Sequence, residues 1–91
     1  MTAVVDKNRQ VLGIYTDGDL RRTLEKNTDL RQVLIASIMS RKPRTITPDQ
    51  LAVEAVQIME QHKVNQLLVV DGKQRLVGAL NMHDLFRAKV I

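Results

Sequence analysis

The sequence predicts an α/β chain of the α+β kind. It is built from two strand-strand-helix units related by a pseudo-two-fold, the first truncated at its N-terminus. Three observations carry this. The stretch VVDKNRQVLGIYTDGDLRR (Val4 to Arg22) aligns without gaps on VVDGKQRLVGALNMHDLFR (Val69 to Arg87), at a constant offset of 65. Seven of the nineteen pairs are identical: Val4/Val69, Val5/Val70, Asp6/Asp71, Gly13/Gly78, Asp19/Asp84, Leu20/Leu85 and Arg22/Arg87. Within each copy, short aliphatic runs of strand length give way to a helical start, and a repeat of this kind decides the fold before any single element does.

In the first copy an aliphatic run ends at Asp6, and Lys7-Asn8-Arg9 makes a polar turn. A second run, Val11 to Tyr15, follows, so the two read as a hairpin. A helix is expected to begin near Asp19, with Leu20 and Leu24 facing inward. The connection from Asn27 to Lys42 is expected to hold a short helix, Leu30 to Met39.

The second copy carries an upstream part. Arg44-Thr45-Ile46 reads as a short strand, and Thr47-Pro48-Asp49-Gln50 as a helix start. Thr at the N-cap, Pro in the first turn and Gln three residues on favour that reading. The helix is expected to run from Pro48 to about Lys63, with Leu51, Ala55, Ile58 and Met59 as its apolar stripe. Val64-Asn65 turns the chain into a strand, Gln66 to Val70. A second hairpin turn and the run Leu76 to Leu80 lead to a helix near Asp84, with Leu85 inward. The first copy lacks the upstream part, so the chain reads as a C-terminal piece of a longer protein. The expected division is 1–34 for the first repeat and 35–91 for the second.

Composition narrows the function classes. The chain has 91 residues, 44% of them apolar, and Tyr15 and Phe86 are its only aromatics. That argues against the stacking platforms of single-strand binders. The net charge is +4, but basic and acidic residues are interspersed and no helix carries a basic stripe, so no nucleic-acid partner is expected. With no cysteine there is neither a disulfide nor a thiolate metal site. His62 and His83 lack metal-site spacing. No apolar run approaches a membrane span of about 20 residues, and Met1 to Gln10 lacks a signal-peptide core. The expectation is a cytoplasmic chain without a membrane partner.

The ordered set Ile38-Met39, Thr45-Ile46-Thr47-Pro48, Glu54-Ala55, Met59, Leu68-Val69-Val70-Asp71 and Gly78 resembles the cystathionine-β-synthase (CBS) domain family. With Val4-Val5-Asp6 and Gly13 as counterparts, it resembles the tandem pair called the Bateman module. The run Gly13 to Arg22 and the segment Asn81 to Ala88 are similar to the C-terminal CBS pair of arabinose-5-phosphate isomerases. Those enzymes carry a sugar isomerase (SIS) domain upstream and feed lipopolysaccharide synthesis through the eight-carbon sugar Kdo. The resemblance implies a regulatory module of such an isomerase that senses a small-molecule effector, with no catalytic residue of its own. The alternative is a structural oligomerisation module without a ligand. Implied partners are the SIS domain of the same chain and further copies in a homo-oligomer. No cofactor is required; adenine or cytidine nucleotides, or a sugar nucleotide, are the implied effectors.

The family's nucleotide motif is glycine, two apolar residues, Ser or Thr, two free positions, then Asp. Gly13-Ile14-Tyr15-Thr16-Asp17-Gly18-Asp19 matches it in full. A strand ending where a helix begins aims free N–H groups and a positive dipole end at one spot. There the Thr16 hydroxyl can meet a phosphate and the Asp19 carboxylate two ribose hydroxyls. Thr16 and Asp19 also have capping-box spacing, so both can simply close the helix start. The family's packing implies that Lys42, Arg44, Val64 and Asn65 face Tyr15, Thr16 and Asp19 across a shared cleft. A weaker second site falls at Asn81 and Asp84, where Asn replaces Thr and His83 stands where Gly18 does.

Overall fold

The computed structural model describes residues 1–89. The first hairpin pairs β1 (Thr2–Val5) with β2 (Val11–Tyr15) antiparallel, and helix α1 (Asp17–Glu25) follows. A short helix α2 (Ile35–Ile38) leads to β3 (Ser40–Arg41), which pairs antiparallel with β2. Next come β4 (Thr45–Ile46), helix α3 (Ala52–His62), the second hairpin β5 (Gln66–Val70) and β6 (Leu76–Asn81), and helix α4 (Met82–Arg87). Two three-stranded sheets result, ordered β1-β2-β3 and β4-β5-β6, with β4 parallel to β5.

The two copies agree in register as well as in element order. Val4 pairs with Gly13 and Val5 with Val11, with an irregularity between Val4 and Val5. Val69 pairs with Gly78 and Val70 with Leu76, and the irregularity recurs between Val69 and Val70. Both turns are held by an aspartate at their first corner: Asp6 Oδ1 accepts from the N–H groups of Asn8 and Gln10, and Asp71 Oδ1 from those of Lys73 and Arg75. Asp side chains that bond the backbone two residues on nucleate turns of this kind. The third turn residue, Arg9 or Gln74, has φ of 68° or 63°.

The core lies mainly in the second copy. Ile46, Ala55, Val56, Met59, Leu67 and Leu85 form its buried cluster, with Ile58, Val64 and Leu80 packed against it. Helix α3 closes this cluster over α4.

Three expectations are corrected. Helix α3 begins at Ala52, not Pro48. Residues 47–50 form a turn of their own: Gln50 Oε1 accepts from the Thr47 N–H, and the Thr47 hydroxyl bonds Asp49 instead of capping. Consequently Leu51 is exposed, and Val56 joins Ala55 and Met59 on the buried side. The linker helix shortens from Leu30–Met39 to Ile35–Ile38, because Asp29 captures the Arg31 N–H and side chain in a turn. Leu20 and Leu24 do not face inward. On α1 the buried residues are Asp19 and Thr23, and among the described residues no helix packs on α1 as α3 packs on α4.

Candidate functional site

The cleft lies where the first β2–α1 junction faces the second copy. Its volume is about 690 Å³, within the range of roughly 300–1,000 Å³ typical of small-molecule sites. The first copy contributes Ile14, Thr16 to Asp19 and Arg22; the second contributes Met59, Lys63 to Gln66 and Met82. Ser40 to Arg44 runs along one wall. Five cationic residues, Arg22, Arg41, Lys42, Arg44 and Lys63, line the cleft against two carboxylates, Asp17 and Asp19.

Local sequence explains the positions. Thr16 is extended and caps α1: its hydroxyl accepts from the Asp19 N–H, and the Asp19 carboxylate accepts from the Thr16 N–H at 2.9 Å. Gly13 lets β3 approach β2. A Cβ there would sit 2.7 Å from Met39 Sδ and 2.8 Å from the Ser40 carbonyl oxygen. That approach carries Ser40 to Asp19 and sets Arg41 and Lys42 at the cleft wall. On the far side Lys63 ends α3 in the left-handed region, the Val64 N–H reaches back to the Met59 carbonyl, and the Asn65 carbonyl accepts from the Met82 N–H.

Asp19 is the electrostatic centre. It is 6% exposed. Its Oδ2 accepts from the Thr16 N–H and hydroxyl, and its Oδ1 from Ser40 Oγ at 2.9 Å and from the Arg22 guanidinium. Burial pushes its carboxyl up, but the bonds from the Thr16 N–H, Arg22, Ser40 and the Thr16 hydroxyl together hold it below the usual carboxylate range.

Of the expected site residues, Thr16, Asp19, Lys42, Arg44, Val64 and Asn65 meet at this cleft. Tyr15 does not line it; its hydroxyl donates to Thr23 Oγ1 at 2.8 Å, on the helix side of the strand. Thr16 also directs its hydroxyl proton at Asp19, so it offers a phosphate nothing unless that bond opens. Asn81 and Asp84 repeat the capping box at α4, but they stand apart from the large cleft. Asn81 lines a separate hollow of about 200 Å³.

Sequence reasoning missed Ser40, Arg22, Lys63 and Met82. Ser40 lies on a two-residue strand, too short to show a period. Arg22 did leave a signal, as the repeat matches it to Arg87. Among the described residues no group of three or more His, Cys, Asp or Glu is placed to hold a metal, and no helix is long and apolar enough to cross a membrane.

The family model for the CBS domain matches residues 35–91. Over all 91 residues the chain is 50% identical to the arabinose 5-phosphate isomerase KdsD of Pseudomonas aeruginosa, and 43% identical to that of Escherichia coli K12. It spans only 28% and 27% of their lengths. Among solved structures, the CBS domain pair of protein MJ0100, in complex with 5′-methylthioadenosine and S-adenosyl-L-methionine, shares 26% identity. It superposes with a TM-score of 0.85 over 97% of this chain and 68% of the other. A CBS domain protein of Pyrobaculum aerophilum, complexed with AMP, shares the fold at a TM-score of 0.82 and 21% identity, over 91% of this chain and 63% of that one. With its repeat, its paired sheets and this match, the chain belongs to the CBS-domain family.

Proposed function

We propose that the cleft at Asp19 takes an adenine nucleotide or a related nucleoside effector, and that the chain is the regulatory CBS pair of an arabinose-5-phosphate isomerase. The observation that carries the ligand class is the juxtaposition of one buried carboxylate with five cationic residues around a 690 Å³ cleft. A carboxylate suits sugar hydroxyls, the cations suit a phosphate, and Ile14, Met59 and Met82 supply an apolar surface for a base. The protein MJ0100 pair was solved with adenosine derivatives, which supports the same class here. The relatives' activity supports the parent reaction, interconversion of ribulose 5-phosphate and arabinose 5-phosphate by an SIS domain in the same chain. A cytidine sugar nucleotide from the Kdo route is the feedback candidate within the same ligand class. The effector acts by binding one packing of the CBS pair against the catalytic domain better than the other, since equal affinity shifts nothing.

The test is a thermal melt of the chain with AMP, ADP, ATP, S-adenosylmethionine, CMP and a cytidine sugar nucleotide. At about 100 times its dissociation constant a true ligand adds about 2.7 kcal/mol, a rise of about 10–20 °C for a domain of this size. A flat response across the panel overturns the sensing reading.

A second reading, assembly into a homo-oligomer, is favoured by Leu20, Leu24 and Phe86, three large apolar side chains exposed on α1 and α4. Sedimentation at high micromolar concentration tests it: a dimer is expected, and a monomer throughout removes it.

A further inference from the structure

Any ligand that uses Asp19 must first displace a protein donor. A carboxylate has about four acceptor positions. Four donors occupy those of Asp19: the Thr16 N–H and hydroxyl on Oδ2, and Ser40 Oγ and Arg22 on Oδ1. The Thr16 N–H bond is part of the helix cap and cannot leave without opening α1. The donors on Oδ1 are side chains, and Arg22 is the freer of the two to move, its side chain 64% exposed against 7% for Asp19.

We propose that Arg22 is a ligand-exchanged latch that selects anionic nucleotides over neutral nucleosides at this cleft. The guanidinium pairs with and neutralises Asp19; when ribose hydroxyls take Oδ1, it turns to the ligand's phosphate. This rests on the nucleotide reading above. The guanidinium already lies along the cleft, a nitrogen 3.5 Å from where a Cβ on Gly18 would stand. It therefore needs to rotate, not to travel. Exchanging one anionic partner for another keeps its charge compensated throughout, whereas a neutral nucleoside strips Arg22 of its partner and offers none in return. The second copy shows what a loose version looks like. There Arg87 pairs with Asp84 at 3.4 Å, and the Asp84 side chain is 39% exposed against 7% for Asp19.

Calorimetric titration of the 91-residue chain with AMP and with adenosine tests this, in wild type, Arg22→Ala and Arg22→Gln. Melting curves check that each variant folds, and Arg22→Gln keeps a long polar side chain without the charge should the alanine fail. Wild type is expected to prefer AMP. Both variants are expected to lower that preference about tenfold, the value of a charge-assisted hydrogen bond. Adenosine should bind them as tightly as wild type, or up to about fivefold better, because the part-buried Arg22–Asp19 pair no longer competes. An unchanged ratio, or an equal loss for both ligands, overturns the latch and leaves the nucleotide reading intact. Binding of neither ligand to wild type overturns the nucleotide reading itself.

Discussion

Gln10 and Arg75, equivalent positions of the two copies, bridge to each other across the middle of the molecule. The bonds around them are reciprocal: the Val11 N–H donates to the Gln74 carbonyl at 3.0 Å, and the Leu76 N–H to the Arg9 carbonyl at 2.8 Å. Each partner maps on the other at the repeat offset, so the pseudo-two-fold passes between Gln10 and Arg75. The hairpins thus meet turn to turn, and this docking sets the β2–α1 junction of one copy facing the α3–β5 turn of the other.

Asp19→Ala and Asp84→Ala are expected to differ in both stability and binding. The first leaves the half-buried Thr16 N–H and the exposed Ser40 hydroxyl without their acceptor and breaks the α1 capping box, a loss of about 1–2 kcal/mol. The second removes a more exposed cap, worth about 1 kcal/mol. For the best ligand of the thermal panel, Asp19→Ala should lower affinity about tenfold to a hundredfold and Asp84→Ala far less. Urea unfolding and calorimetry measure the two effects, and equal affinities for wild type and Asp19→Ala would end the ribose assignment.

The two glycines matched by the repeat should respond in opposite ways to alanine. At Gly13 the new methyl meets the Ser40 carbonyl, which is backbone and cannot swing aside, so β3 must move; a loss of about 1–3 kcal/mol is expected. At Gly78 the closest atom is Val69 Cβ at 3.7 Å, an ordinary contact, and alanine should be neutral or slightly stabilising. Denaturant midpoints of the pair decide it, and similar midpoints would contradict the close approach of β3.

Leu85→Ala should cost about 2–5 kcal/mol, as for other buried leucines, and Leu20→Ala well under 1 kcal/mol. The residues are equivalent in the repeat; only Leu85 lies under α3. A large loss at Leu20 would show that its face is covered in solution, and that loss would then depend on protein concentration if a second copy covers it.

Acid stability should depend on Asp19. Burial raises its carboxyl, but the bonds from Thr16, Arg22 and Ser40 outweigh that and hold it below the usual carboxylate range, so its contribution is full above the unfolded value and lost as pH falls through the folded one. Asp29 and Asp71 are also lowered: Arg31 hydrogen bonds hold Asp29 down, and at Asp71 the Arg75 N–H leads. Asp19→Asn should therefore remove part of the acid sensitivity below about pH 4 and leave the rest. Unfolding curves at pH 7, 5, 4 and 3 measure it. Parallel pH dependence in wild type and variant would show that Asp19 carries none.

The sequence by itself determined what short-range physics controls. The offset of 65 forecast two hairpins with the same register, because the same aliphatic runs and the same aspartate-led turns force the same pairing. Thr16 with Asp19, and Asn81 with Asp84, forecast two helix caps, since a cap needs only residues three apart. The motif also placed Thr16 and Asp19 at the cleft. Only the tertiary structure decided which of two identical residues is buried. Leu20 and Leu85 each follow a capping aspartate and stand two residues before an arginine, but α3 lies over one and not the other. Likewise the donors that complete Asp19 depend on β3, a two-residue strand whose place follows from the space at Gly13 and not from any pattern of its own. Burial and long-range bonding depend on what the rest of the chain brings near, and no local run of residues records that.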